Sequence, residues 1–162
     1  MANRHVQTPK QKGFSLIELL IVVAIILIIA AIAIPNLLKS KMAANESSAV
    51  GSVRTINTAE ITYQVSCPPQ GYAVNLLALN TGGACTAGKA IIDANLAAGQ
   101  KSGYTMTAVG ANPVNGANTT YTDSAKPQTL HTTGERMFCS DQTGVIFFDP
   151  AGAACTAASS PL

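Results

Sequence analysis

The sequence predicts an α+β protein in which one long N-terminal α-helix packs on a small antiparallel β-sheet. A run of apolar residues from Phe14 to Ile34 leads into a segment whose apolar residues recur every three to four positions up to Tyr63. That spacing is typical of one helix face. Further along, short stretches of alternating apolar and polar residues are separated by turn residues, as in antiparallel sheets.

The apolar run from Phe14 to Ile34 is long enough to cross a membrane. Roughly 20 helical residues span the hydrocarbon core of a bilayer, and only Ser15 and Glu18 interrupt the apolar character here. A cleaved secretory signal has a shorter apolar region followed by a small-residue cleavage site. We therefore expect this run to remain in the protein as a membrane anchor.

Positive charge is concentrated at the N-terminal end. The formal net charge is +2, and Arg4, Lys10 and Lys12 precede the apolar run with no acidic residue among them. Basic residues beside a membrane span predict a cytoplasmic location for that end. The rest of the chain is nearly neutral and lacks a basic stripe, so a nucleic acid is not an expected partner.

Glu18 is an unfavourable residue for an apolar run. A charge at the centre of a membrane helix costs about 2.5–3.5 kcal/mol, and less near an end, so the carboxylate is expected to need a cationic partner. A cut between Gly13 and Phe14 would create an amine four residues from Glu18, which is on the same helix face. These residues alone leave open whether such a pair forms within one subunit or between two.

The stretch KGFSLIELL at 12–20 resembles the class III prepilin signal of type IV pilins and type II secretion pseudopilins. The resemblance implies cleavage between Gly13 and Phe14 by a prepilin peptidase, followed by N-methylation of Phe14. It also implies that Glu18 neutralises the Phe14 amine of a neighbouring subunit and so sets the axial register. Pro35 matches the helix-interrupting proline of that family, and it should kink or loosen the helix because it has no backbone N–H.

The resemblance also implies the pilin fold, with a long helical spine packed on a small sheet, and a division of the chain into four segments. These are a leader peptide at 1–13, a transmembrane and assembly half of the helix at 14–35, an amphipathic half at 36–66, and a globular head at 67–162. The alternative for the helical part is an anchor followed by a separate helix, with the break at Pro35. The name "head" is kept below for residues 67–162.

Within the head, the sequence predicts two short helices and three or four antiparallel strands. The helices are expected at 75–79 and at Lys89–Ala98, with the second stopped by Gly99. Strands are expected at 103–109 and 119–125, and the clearest hairpin joins RMFC at 136–139 to VIFF at 145–148.

Four cysteines, Cys67, Cys85, Cys139 and Cys155, all lie after the apolar run. An even number beyond a predicted membrane anchor suggests two disulfides in an oxidising compartment. Three pairings are possible. Cys67–Cys85 and Cys139–Cys155 are favoured because each closes a short loop, worth roughly 3 kcal/mol on the chain-entropy model. Free buried thiols are the alternative, and the C-terminal pair also resembles the disulfide-bounded loop of pilins.

Catalytic and cofactor motifs are absent from the sequence, so we predict no enzymatic activity, no cofactor and no metal. His131 lies in a Thr-rich stretch and is expected to be an exposed loop residue. Asp141 and Asp149 are expected to accept hydrogen bonds from turn N–H groups, with a calcium site in the strand loops as the alternative. Asn45 and Asn118 each begin a glycosylation sequon, to which we attach little weight.

The resemblance predicts a structural subunit of a type IV pilus that polymerises through its apolar helix. The alternatives are the major pseudopilin of a type II secretion system and a minor pilin that binds DNA or surfaces at a filament tip. Expected partners are further copies of the chain, a prepilin peptidase, an inner-membrane assembly platform with minor pilins, and membrane lipid before assembly. The chain is expected to cross the inner membrane once before assembly and to be extracellular afterwards.

Overall fold

The computed structural model describes residues 13–83 and 89–162, and its main element is a single long helix. Helix α1 runs from Leu16 to Ser66 over 51 residues and contains Pro35. The predicted spine is therefore confirmed, and the alternative of a separate helix after Pro35 is wrong. A proline within a helix removes one main-chain hydrogen bond, and the kink expected at Pro35 stays a prediction.

The structure divides after Leu37 into two compact units. In the first, every described residue from Gly13 to Leu37 is exposed except the half-buried Ala30. One 18-residue window of α1 has a mean hydropathy of 3.3 with none of it buried, so by length and composition this helix could cross a membrane. The second unit, Leu38–Leu162, contains the hydrophobic core.

One face of α1 is buried in the second unit. The predicted apolar stripe is confirmed at Ala49, Val53, Ile56, Ala59 and Tyr63, each at most 2% exposed. The same face also buries polar residues that the sequence did not single out: Glu46, Ser52, Asn57 and Glu60. The helix therefore carries both apolar contacts and hydrogen-bonding groups into the core.

Two short helices follow α1, and each begins at a side-chain cap. In α2, Leu76–Thr81, the side chain of Asn75 accepts a hydrogen bond from the Ala78 N–H at 2.9 Å. In α3, Ala94–Ala97, Asp93 caps the Leu96 N–H at 3.0 Å. The predicted helix at Lys89–Ala98 was too long, because the cap at Asp93 starts the helix there.

The sheet has six antiparallel strands in sequential order. Three or four were expected, and the additional strands are the two-residue edge strands, which are too short to show an alternating pattern. The strands are β1 Gln100–Lys101, β2 Tyr104–Val114, β3 Ala117–Pro127, β4 Met137–Asp141, β5 Ile146–Asp149 and β6 Ser160–Pro161. The predicted β4–β5 hairpin is confirmed, with Phe138 opposite Phe148.

Strands β2 and β3 form a long hairpin with a two-residue turn. Val114 pairs with Ala117, and the turn residues Asn115 and Gly116 have φ values of 51° and 86°. Positive φ at both positions suits the right-handed twist of the flanking strands, and Asn-Gly tolerates it well. Both strands are consequently longer than the segments expected from the sequence.

The core joins α1, the two short helices and the sheet. It includes Leu79 from α2, Leu96 from α3, and Tyr104 and Phe138 from the sheet, none of them measurably exposed. Ile56 of α1 is equally buried. Because folded interiors are close-packed, removal of a side chain from this cluster leaves a cavity.

We expect Ile56→Ala to lower the free energy of unfolding of the second unit by about 2–5 kcal/mol, through lost burial and an unfilled cavity. Ile61→Ala is a matched control, because Ile61 lies on the same helix and is 54% exposed. Denaturant unfolding of the full chain in detergent, followed by the near-ultraviolet circular dichroism of its tyrosines, measures both. Equal losses in the two variants would contradict the assigned packing.

Candidate assembly surface

The most exposed apolar surface in the structure is the first part of α1 together with Phe14. Phe14 is 84% exposed, and the large apolar residues from Leu16 to Leu38 are 41–79% exposed. Isolated apolar residues at a surface are ordinary, but a continuous apolar surface marks a site for protein or membrane contact. This surface is the candidate functional site.

The Gly13–Phe14 junction lies just before the helix. Residues 13–15 are not helical, and α1 begins at Leu16 with the Leu19 N–H bonded to the Ser15 carbonyl at 3.2 Å. A Cβ added at Gly13 would have no atom within 4 Å. The peptide bond between Gly13 and Phe14 is therefore accessible. Residues 1–12 of the expected leader lie outside the described residues.

Glu18 occupies the first turn of α1. Its carboxylate is exposed and makes no hydrogen bond or ion pair within residues 13–83 and 89–162. A carboxylate in the first turn interacts favourably with the helix dipole, but this leaves its charge unpaired in an apolar surface. The roles of Gly13, Phe14 and Glu18 stay predictions.

Glu46 is a second acidic residue of α1, and both of its carboxylate oxygens accept hydrogen bonds. It accepts hydrogen bonds from the N–H groups of Glu135 at 2.9 Å and Arg136 at 3.2 Å. The Arg136 guanidinium binds its other oxygen through Nε and through the terminal nitrogen, both at 2.8 Å. Arg136 also lies 5.3 Å from the ring centroid of Phe138. Glu46 thus attaches the segment before β4 to the long helix.

The sequence analysis did not predict the contact between Glu46 and the segment before β4. A usable signal was its position three residues before Ala49 on the buried stripe. Burial raises the pKa of Glu46, but the hydrogen bonds from Glu135 and Arg136 outweigh that effect and lower the pKa below its ordinary value. Glu46 therefore remains ionised in the folded unit at neutral pH.

The disulfide between Cys139 and Cys155 is confirmed, with Cα atoms 5.7 Å apart. It closes a C-terminal loop that contains β5. The predicted Cys67–Cys85 pairing lies outside the described residues, because Cys85 is not among them. Cys67 itself is buried at the end of α1.

Asp141 and Asp149 both accept hydrogen bonds from turn N–H groups, as expected. Asp141 accepts from the Thr143 N–H at 2.9 Å, and Asp149 accepts from the N–H groups of Ala153 and Ala154 at 2.8 and 3.1 Å. These hydrogen bonds lower the pKa of Asp149 below its ordinary value. Within the described residues, no group of three His, Cys, Asp or Glu side chains is arranged to hold a metal ion.

The remaining polar candidates from the sequence are His131 and the two sequon asparagines, Asn45 and Asn118. His131 lies in an exposed turn. Both sequon asparagines use their side-chain amides: Asn45 donates to the Thr133 carbonyl at 2.8 Å and Asn118 to the Tyr72 carbonyl at 3.0 Å. The Asn45 amide therefore joins α1 to the head, and the Asn118 amide joins two segments within the head.

Comparison with known proteins matches residues 8–34 to the prokaryotic N-terminal methylation motif. The chain is 47% identical over 55 residues to the type IV major pilin protein PilA of Myxococcus xanthus, covering 34% of this chain and 25% of the relative. It is 64% identical over 36 residues to the type IV wide pilus major component PilA4 of Thermus thermophilus, covering 22% and 28%. It is 34% identical over 58 residues to the type II secretion system core protein G of Escherichia coli, covering 36% and 40%.

The motif and these relatives make the N-terminal part of the chain similar to type IV pilins and to a type II secretion core protein, and the α+β architecture is consistent with the pilin fold. The chain spans between 25% and 40% of the length of these relatives. The two pilins among them are major pilus components by name, which agrees with the expectation that the chain is not an enzyme. The apolar helix and the similarity to these relatives fit a subunit that is first anchored in a membrane and later enters an assembly. No solved structure matches the chain significantly.

Glu46→Gln is expected to lower the free energy of unfolding by about 1–3 kcal/mol at neutral pH, because charged hydrogen bonds are lost in a buried position. Since the folded pKa of Glu46 lies below its unfolded value, this contribution is present above the unfolded pKa and disappears as the pH falls through the folded pKa. Wild type and variant should therefore converge in acid. Denaturant unfolding across that pH range measures the difference.

Glu135→Gln is the matched control, because Glu135 is adjacent to Arg136 and exposed. It should cost no more than about 0.5 kcal/mol at any pH. A Glu46→Gln loss that stayed constant down to acidic pH would contradict the ionised contact.

Proposed function

We propose that the chain is a structural subunit of a type IV pilus. In this proposal the leader at 1–13 is removed, Phe14 becomes the methylated N-terminus, and residues 14–35 first anchor the subunit in the membrane. The amphipathic half at 36–66 and the head at 67–162 stay outside the bilayer. Subunits then leave the membrane and polymerise through their apolar helices.

The observation that carries the proposal is an apolar helix surface exposed on all sides, with one carboxylate at its start. Full burial of a large apolar side chain stabilises by about 1.5–3 kcal/mol relative to exposure in water, so a surface of this size must be covered. Lipid covers it before assembly and other copies of the chain cover it in a filament. Neither requires an enzyme active site.

Apolar contact alone does not define how neighbouring helices align. Lipid tails are as apolar as leucine, so helices associate through close packing and polar contacts. The small residues Ala24, Ala30, Ala31 and Ala33 allow close approach between helix backbones. Glu18 then supplies the polar contact that distinguishes one axial register from the others.

The cationic partner of Glu18 in this proposal is the amine created at Phe14 by cleavage. In the uncleaved chain Phe14 precedes the start of α1 at Leu16, so helical i, i+4 geometry does not join it to Glu18 here. We propose that the amine belongs to a neighbouring subunit. A wrong register would leave two charges unpaired in apolar surroundings, and breaking a buried pair costs about 3–5 kcal/mol.

A pilus is favoured over a secretion pseudopilus by two observations. The Cys139–Cys155 disulfide closes a C-terminal loop, which resembles the disulfide-bounded loop of pilins. The two pilin relatives are also the more identical ones, at 47% and 64% against 34%. A major pseudopilin is the second candidate, because the secretion protein has the highest covered share, 40%.

The proposed setting follows from these assignments. The N-terminus faces the cytoplasm before cleavage, and the head lies on the opposite side of the inner membrane, where its disulfide is stable. Prepilin peptidase, an inner-membrane assembly platform and minor pilins are the proposed partners besides other copies of the chain. We propose no nucleic-acid ligand.

Electron microscopy of fibres sheared from cells tests the pilus proposal. Wild-type cells should yield long surface fibres that contain this chain. Glu18→Gln should yield at least about tenfold fewer, because a loss above 1.4 kcal/mol per contact changes an equilibrium by more than tenfold. The variant should still be present in the membrane fraction at the wild-type level.

Ser15→Ala is the matched control, because it removes a polar group from the same part of the apolar run without changing charge. It should assemble normally. Normal fibres from Glu18→Gln would contradict the register role of Glu18, and the absence of surface fibres from wild-type cells would favour the secretion pseudopilin.

Intact-mass measurement of assembled subunits tests the processing step. The expected mass is that of residues 14–162 with one methyl group on the N-terminal amine. Substitution of Gly13 by a bulky residue such as Gly13→Leu should leave a full-length chain in the membrane. The chain itself has room for the side chain, so the expected block lies in the fit of the junction to the peptidase. Assembled subunits that retain residues 1–13 would contradict the proposed cleavage.

A further inference from the structure

Two carboxyl groups are buried together in the second unit, between α1 and the sheet. Glu60 on α1 is 0% exposed and Asp123 on β3 is 2% exposed. Asp123 alternates with Tyr121 and Ala125, which are also buried and therefore share its face of the strand. These two acids take no part in the proposed assembly surface.

Three of the four carboxyl oxygens in this pair have no hydrogen-bond partner within residues 13–83 and 89–162. One oxygen of Glu60 accepts from the Ala73 N–H at 2.8 Å. The other oxygen of Glu60 and both oxygens of Asp123 are buried without a partner. The N–H groups of Asp123 and Ser140 lie near enough to lower the pKa of Asp123 somewhat, but they do not reach hydrogen-bonding geometry.

The donors around the pair are already committed elsewhere. The Tyr121 hydroxyl donates to the side-chain amide oxygen of Asn57 at 3.1 Å. The side-chain amide nitrogen of Asn57 donates to the Ser140 hydroxyl oxygen at 2.9 Å. Ser140 in turn donates to the Val145 carbonyl at 2.8 Å. This chain of hydrogen bonds satisfies its own members and offers no hydroxyl hydrogen to Glu60 or Asp123.

The ionisable groups that face the pair supply no positive charge. They are Tyr63 of α1, Tyr121 of β3 and Asp141 of β4, and Tyr72 lies behind them against Tyr121. Within the described part of the chain, the ion pair present is Arg136–Glu46, and no lysine, arginine or histidine bonds Glu60 or Asp123. An ionised carboxylate buried without a partner is strongly unfavourable, and protonation removes that cost.

We propose that Glu60 and Asp123 form a buried proton-binding pair, which holds protons in the folded unit at pH values where exposed carboxyl groups have lost theirs, and which makes that unit less stable as the pH rises. Loss of the protons would place unpaired negative charges between α1 and β3. The contact between α1 and the sheet would then loosen. The inference concerns the second unit alone and does not depend on the proposed filament function.

The pKa values agree in direction with this geometry. Burial raises the pKa of Glu60 to about 7. Burial, with a smaller contribution from the negative charge of Glu60, raises the pKa of Asp123 to about 8. Because both folded pKa values exceed the unfolded values of 4.5 and 3.8, the contribution of this pair to stability is greatest below the unfolded values. It falls as the pH rises to the folded pKa values, by up to about tenfold in the unfolding constant per pH unit for each group.

Thermal unfolding of the full chain in detergent micelles, from about pH 5 to about pH 9, tests this inference. The near-ultraviolet signal of the buried tyrosines reports on the second unit, since the chain has no tryptophan. The wild-type melting temperature should fall with rising pH. Asp123→Asn and Glu60→Gln should each reduce that fall, and the double variant should nearly abolish it, because an amide cannot lose the proton.

Glu135→Gln is the control and should retain the wild-type slope, because Glu135 is exposed. The comparison between wild type and variants also cancels the titration of the two histidines. A second readout on the unmodified chain is the infrared C=O stretch of a protonated carboxyl group. It should persist at neutral pH, and it remains available if a variant does not fold.

Two results would overturn the inference. One is a wild-type melting temperature that stays level or rises with pH, with no protonated carboxyl band at neutral pH. The other is full recovery of the alkaline melting temperature on addition of sodium or calcium ions, which would make the pair a cation site. A falling wild-type curve that Asp123→Asn and Glu60→Gln flatten would support it.

Discussion

The fold depends on one constraint: the single helix α1 has to satisfy two different environments. Up to Leu37 its apolar side chains are exposed on all sides, and in the proposed function lipid or other helices cover them. In the second unit only one face is apolar and buried, with Val53, Ile56 and Tyr63 in the core. A helix can meet both demands because its main-chain hydrogen bonds are satisfied internally whatever surrounds it. The side chains alone change along its length.

The buried face of α1 also carries two carboxylates with opposite properties. Glu46 receives three hydrogen bonds and one further ion-pair contact from the Glu135–Arg136 segment, and these hold its pKa down. Glu60 receives one, and burial raises its pKa. Burial raises the pKa of both groups, and the number of donors decides whether that effect is outweighed. Protonation in acid therefore weakens the Glu46 contact, and deprotonation as the pH rises toward about 7 weakens the packing around Glu60.

Local signals predicted much of the fold. The 3.6-residue period located the buried stripe of α1, and short apolar runs located β4 and β5 because their hairpin is local in sequence. The Asn115–Gly116 pair was a further local signal, typical of a two-residue hairpin turn, and it would have extended both strands of the β2–β3 hairpin. The helix in the Lys89–Ala98 segment is shorter than expected, because Asp93 caps it and it begins only at Ala94. The edge strands β1 and β6 depend on pairing partners and have too few residues for a pattern of their own.

The sequence by itself determined the extent of the apolar span and the preference for pairing Cys139 with Cys155. It also supplied the predicted roles of the Gly13–Phe14 junction and of Glu18. Each of these depends on residue type, spacing or loop length along the chain. Only the tertiary structure decided the surroundings of Glu46, Glu60 and Asp123, because their environments come from segments far away in sequence. The two N–H groups that donate to Glu46 lie 89 and 90 residues after it in the sequence. Composition and periodicity give no information about such contacts, whereas burial and the number of available donors determine whether a carboxyl group is ionised.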